Sequence, residues 1–138
     1  MECDGHNNCT VAVAFDAAAI STDTTTAGNI IDTVGYESIE FIIVAGTITD
    51  GTYTVKLEDG DNSGLSDAAV VDSSLVLGDL PVFVAADDNV PFRVGTISKK
   101  RYQRLSLVSA TTSTGVNFMS AVAVLGHPDS APTAAQAT

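Results

Sequence analysis

The chain has no tryptophan, two histidines, two cysteines, and only 6 lysines and arginines among 138 residues. Each shortage closes off a class of function. Without Trp, and with an aromatic share of 6%, there is little material for stacking sugars or nucleobases. Six bases against 17 acids leave a formal charge of −11. Such a field repels nucleic acid and anionic lipid, so neither a nucleic acid nor a membrane is expected as a partner. Its bland role is solubility. Both cysteines, Cys3 and Cys9, fall in the first nine residues, so they cannot staple a core, and a disulfide between them is not assumed. No run approaches the roughly 20 apolar residues of a membrane span. Met1-Glu2-Cys3-Asp4 has neither the basic region nor the apolar run of a signal peptide, so synthesis in a reducing cytoplasm is expected.

What remains is a strand-and-turn vocabulary: Val, Ala, Ile and Leu with Thr, Ser, Asp and Gly. At residues 52–58, Tyr53, Val55 and Leu57 alternate with Thr52, Thr54, Lys56 and Glu58, the period of two of a half-buried strand. Residues 39–45 are nearly continuous β-formers and read as a central strand covered on both faces. The intervening Asp50-Gly51 is a strong turn signal, so these two strands are expected to form a hairpin. Further strands are expected at 11–15, 29–34, 91–97, 101–108 and 118–125, with shorter ones at 75–77 and 82–84. Both faces of 118–125 are apolar, which places it inside a sandwich. Residues 66–71 are expected to form one helical turn. About eight short strands between Gly, Asp, Asn and Pro turns predict an all-β fold, a β-sandwich, with a jelly roll preferred and an immunoglobulin-like sandwich as its rival. The polar residues 1–9 and the small-residue stretch 128–138 can bury little and are assigned to an N-terminal arm and a C-terminal tail flanking a domain at 10–127.

Chemistry is sparse. Cys3, His6 and Cys9 offer metal-ligand types at intervals of three, with Asp4 or the distant His127 to complete a tetrahedral set, but no second Cys/His cluster exists. An arm with incidental ligands is the plainer account. Asp59, Asp61, Ser63 and Gly64 match positions one, three, five and six of a calcium loop, yet Val70 stands where the bidentate Glu belongs. A hairpin turn with solvated acids is the better reading. There is no G-x-S-x-G elbow, phosphate loop or H-E-x-x-H, and paired carboxylates for glycoside hydrolysis lack an aromatic platform. No enzyme activity and no cofactor are expected. One polar feature stands out: Arg93, Lys99, Lys100, Arg101 and Arg104 put five of the six basic residues into twelve positions. They are the interface candidates, and protection of a sheet edge by Lys and Arg is the competing explanation.

Three stretches together resemble a known family. Residues 51–61, Gly-Thr-Tyr-Thr-Val-Lys-Leu-Glu-Asp-Gly-Asp, precede Arg-Tyr-Gln-Arg-Leu-Ser-Leu at 101–107, and Ala-Val-Leu-Gly-His-Pro at 123–128 leads into an Ala/Pro tail. Over roughly residues 10–130 the chain is similar to the small head decoration, or cement, proteins of tailed bacteriophages. The resemblance implies a jelly-roll domain, commonly a homotrimer, clamped on the capsid exterior across major capsid proteins. A structural virion protein is therefore expected. The alternatives are a neck, tail or fibre-associated adaptor, and a calcium- or carbohydrate-binding β-sandwich module.

Overall fold

The computed structural model describes residues 5–130; Cys3, Asp4 and the stretch 131–138 lie outside the described residues. Ten strands form: β1 (Cys9–Ile20), β2 (Thr25–Asp32), β3 (Tyr36–Ala45), β4 (Thr52–Gly60), β5 (Ala69–Val70), β6 (Val76–Leu77), β7 (Val82–Phe83), β8 (Pro91–Thr96), β9 (Tyr102–Ala110) and β10 (Val116–Pro128). Only single 3-10 turns, such as His6–Asn8, interrupt them.

Sheet A runs β1-β10-β3-β8-β6, and sheet B runs β2-β9-β4-β5, with β7 also paired to β4. Every pairing is antiparallel. The pairs β1:β10, β2:β9, β3:β8 and β4:β5 are the rungs of one long hairpin rolled up so that its rungs alternate between sheets. That order is a jelly roll. An immunoglobulin-like sandwich would instead join consecutive strands within a sheet.

The same order corrects the expected hairpin between residues 39–45 and 52–58. β3 belongs to sheet A and β4 to sheet B. Asp50-Gly51 does turn the chain, with Gly51 at φ +91°, but the turn crosses between sheets. It is held from the opposite end of the chain: the Asp50 carboxylate accepts the backbone N–H of Ser113, Thr114 and Gly115, the last at 2.7 Å. Local turn chemistry marks a reversal; it does not say which sheet receives the chain. The helical turn expected at 66–71 is also absent. Ala69–Val70 is extended, because the Asp67 carboxylate accepts the Asp61 and Asn62 N–H groups and closes the loop before a helix can start.

Between the sheets lie Phe41, Ile43 and Ala45 of β3, Tyr53, Val55 and Leu57 of β4, Leu105 and Leu107 of β9, and Met119, Ala121 and Ala123 of β10, all essentially inaccessible. Phe83 meets Phe92 edge-on at 4.9 Å between ring centroids. Tyr53 is fully buried and its hydroxyl donates to the Asp50 carbonyl, which ties the core to the crossing turn. On the β1–β2 side the sheets nearly touch. A Cβ on Gly28 would stand 2.2 Å from the Leu105 carbonyl oxygen and 2.3 Å from that of Ala14. Beside it the Asn29 amide donates to the Val13 carbonyl and to Asp16, capping β1 along its unpaired edge.

The expectation that β3 and β10 are covered on both faces is corrected. Both are interior strands of sheet A, but a two-layer sandwich covers only one side of each sheet. Ile42, Phe118 and Val122 point outward and stay exposed.

Candidate functional site

Four of the five basic candidates gather at one end of the sandwich, around the β8–β9 connection. Arg101 grips Asp32 at the end of β2 through two nitrogens, at 2.8 and 2.9 Å, and its guanidinium lies 5.0 Å from the Tyr102 ring centroid. Lys100 reaches Asp61 at 2.7 Å. Arg104 crosses from β9 to Glu58 on β4 at 3.1 Å, and the buried Ser106 hydroxyl donates to the same carboxylate oxygen at 3.5 Å. Its Nε is buried without a hydrogen-bond partner among the described residues. Lys99 is exposed on the same connection. Arg93 stands apart, on the outer face of sheet A, level with Ile42.

These contacts set the charge of that end. The Arg101 hydrogen bond, helped by the Val34 N–H, holds the Asp32 carboxyl below the usual carboxylate range. Lys100 is pushed up, first by its hydrogen bond and charge pairing with Asp61 and then by Asp59 and Asp67. The acids that balance the cluster come from β2, β4 and the loop after β4, so three of the five bases are already matched by their own chain. Two depressions flank the connection. One, of about 370 Å³, lies between Lys99, Lys100 and the Thr33–Tyr36 turn; the other, of about 490 Å³, is bordered by Asp59, Asp72 and Leu75.

Asp59 is inward-facing on β4, and the Ser98 hydroxyl donates to its carboxylate. Beside it Thr96 donates to Gln103 at 2.6 Å, both buried. The residues read as a calcium loop do not converge: Asp59 faces the interior, Asp61 pairs with Lys100, and Gly64 donates its N–H to the Asn62 side chain, while the neighbouring Asp67 holds the Asp61 and Asn62 N–H groups. Of the metal-ligand types near the start, His6 sits in a 3-10 turn and Cys9 opens β1 opposite Gly126, one residue from His127. His127 contacts the Ser38 hydroxyl at 3.2 Å, exposed at the sheet end. Among the described residues no three His, Cys, Asp or Glu side chains converge as a metal set.

The feature that residue-by-residue reading missed is the outer face of sheet A. The β1–β10–β3 register sets Val13, Val122 and Ile42 in one row, with Val11 and Val124 in the next. Phe118 extends the patch, resting against Gly46. Sheet B's outer face is mixed: Thr54, Lys56, Glu58 and Arg104 lie at its middle, with Ile30, Val70 and Val82 exposed beside them. The signal was present in the two apolar faces of residues 118–125.

No family model matches the chain, and none of the curated proteins matches it. Among solved structures, the chain is similar to SPBc2 prophage-derived protein YomS, with a TM-score of 0.51 at 11% identity, covering 86% of this chain and 92% of that one. It is also matched to a chain of infectious bursal disease virus, Gx strain, with a TM-score of 0.47 at 16% identity, over 94% of this chain and 37% of that one. The first likeness supports the all-β sandwich already read from the strand order. Among the described residues no helix is long and apolar enough to cross a membrane.

Proposed function

We propose that this chain is a structural protein of a tailed-phage virion: a decoration, or cement, protein that binds the outside of the head and stabilises the major capsid shell. It acts by binding rather than catalysis, takes no cofactor, and assembles as a homo-oligomer, the trimer being the state the resemblance implies. The observation that carries the reading is the two-sidedness of the jelly roll. The middle of one outer sheet face is apolar and carries few charges, the middle of the other carries Thr54, Lys56, Glu58 and Arg104 with exposed Ile30, Val70 and Val82 at its margins, and the ionic groups at the loop end are largely matched internally. A domain built this way covers one face and shows the other to water.

The similarity of fold to a prophage-derived protein supports a phage origin. A shell-bound domain needs no deep pocket, because weak contacts repeated over many copies add up. An acidic exterior keeps particles apart. The test is the copy number in purified particles. Decoration requires copies on the order of hundreds, matching the repeated shell lattice, whereas an adaptor at the neck or tail requires about a dozen or fewer. Absence from the particle would overturn the reading.

A further inference from the structure

We propose that the outer face of sheet A is the contact between copies of this chain, its occupant being the same face or flank of a second copy. This rests on the oligomeric part of the reading above and not on its virion part.

Residue sizes in the middle of β10 run against what a core strand needs. β10 turns Ala121 and Ala123 into the core and leaves Phe118 and Val122 outside, 39% and 40% exposed. β1 buries Phe15 and Ile20 along with Ala14, yet leaves Val11 and Val13 42% and 53% exposed. Apolar burial scales with area, so a strand serving only its own core would turn its larger side chains inward. Over 121–124 the smaller residues face in and the larger ones out, while Val116, Met119 and Leu125 of the same strand fill the core, and the register makes the outward ones contiguous.

The two rows through Val13 and Val11 carry one acid, Glu40, and one base, Arg93, from β1 to β8. Among the described residues neither has an ion-pair partner in its own chain. These rows are therefore neutral on a chain of −11. Two copies repel through most of their surfaces and least through this one, where Glu40 of one copy has Arg93 of another to meet. Pairing through the edge of β1 is disfavoured, because Asn29 already occupies the Val13 carbonyl.

Area sets the strength. Four strands about 4.8 Å apart and about six residues of strand length give a patch of roughly 20 by 20 Å, or about 400 Å² per copy. A total near 800 Å² is at the weak end of specific association, so a concentration-dependent oligomer is expected rather than a permanent one.

The experiment is sedimentation equilibrium of the full chain from about 1 to about 200 µM, beside Val122→Asp and Val13→Asp. The expected result is a wild-type mass rising to a dimer or trimer and both variants held at the monomer, with dissociation constants at least about tenfold higher. Melting curves within a few degrees of wild type would show that the variants fold. If Val122→Asp does not fold, Val13→Asp, on another strand, carries the same test. A wild-type chain that stays monomeric throughout overturns the inference, and the face is then covered by another protein. Association that persists in folded variants overturns it too, since the contact then lies elsewhere. Neither outcome bears on whether the chain is found on particles.

Discussion

Replacing Gly28 with alanine tests the seam that brings the two sheets together. Gly-to-Ala at a site with room is stabilising by about 0.4–1 kcal/mol, because the unfolded chain loses freedom. Gly28 has no room. Its new methyl would lie 2.2 and 2.3 Å from the carbonyl oxygens of Leu105 and Ala14, both backbone atoms that cannot swing aside. Relieving an overlap of roughly 1 Å requires β1 and β2 to part, which strains the local backbone and puts at risk the Asn29 bonds to Val13 and Asp16. Overpacking of this kind costs about 1–3 kcal/mol, and a lost hydrogen bond adds about 1. The steric term wins, for a net destabilisation of about 2–3 kcal/mol. Urea unfolding should show a lower midpoint at unchanged slope, and the melting temperature should fall by roughly 6–12 °C. Gly5→Ala, where a Cβ meets nothing within 4 Å, is the control and should be close to neutral. A Gly28→Ala protein as stable as wild type would show that the sheets are not in contact along this seam.

Acid stability follows from the carboxylates that hold turns. Asp50 is lowered by the Gly115, Ser113 and Thr114 N–H groups, and Asp23 by the Thr112 hydroxyl and N–H. Their folded pKa values lie below the unfolded value of about 3.9, so their stabilisation is present above about pH 4 and is lost as pH falls through the depressed folded values. Thermal melts from pH 7 to pH 2 should fall at the acid end, and Asp50→Asn should make that fall shallower; an identical pH profile would remove Asp50 from the account. Arg104→Met should cost about 1–2 kcal/mol in urea unfolding, because Glu58, only 13% exposed, loses the nearer of its two cationic partners and keeps Lys56 at 3.7 Å. The triple reversal Lys99→Glu, Lys100→Glu and Arg101→Glu should leave the domain folded, since exposed pairs are individually worth about 0–1 kcal/mol, yet weaken particle binding at low salt. Unchanged binding with more aggregation would make these residues edge protection instead.

How far the fold was legible depended on how far each signal reached along the chain. The strand at 52–58 was readable because Tyr53, Val55 and Leu57 face one core and their neighbours face water. β1 was seen only at 11–15, since Ala17, Ala18 and Ala19 carry no alternation by which a strand could be recognised, yet the strand runs to Ile20. The Asp50-Gly51 turn was visible, but the partners that decide where it leads, Ser113 to Gly115, lie more than 60 residues away. The basic cluster shows the same limit. Its crowding within twelve positions was plain, whereas the acids that neutralise it, Asp32, Asp61 and Glu58, are separated from Arg101, Lys100 and Arg104 by 69, 39 and 46 residues. The apolar duality of residues 118–125 was read as double coverage. It marks instead a face that the chain by itself leaves open.

The central claim is that this domain sits on the outside of a phage head, and a difference map between particles with and without the chain tests it most directly. The account predicts missing density of one jelly-roll domain per copy, repeated over the outer capsid surface, together with heads that open at lower temperature or lower osmotic stress. Identical shells with the difference confined to the neck or tail, or no difference at all, would contradict it.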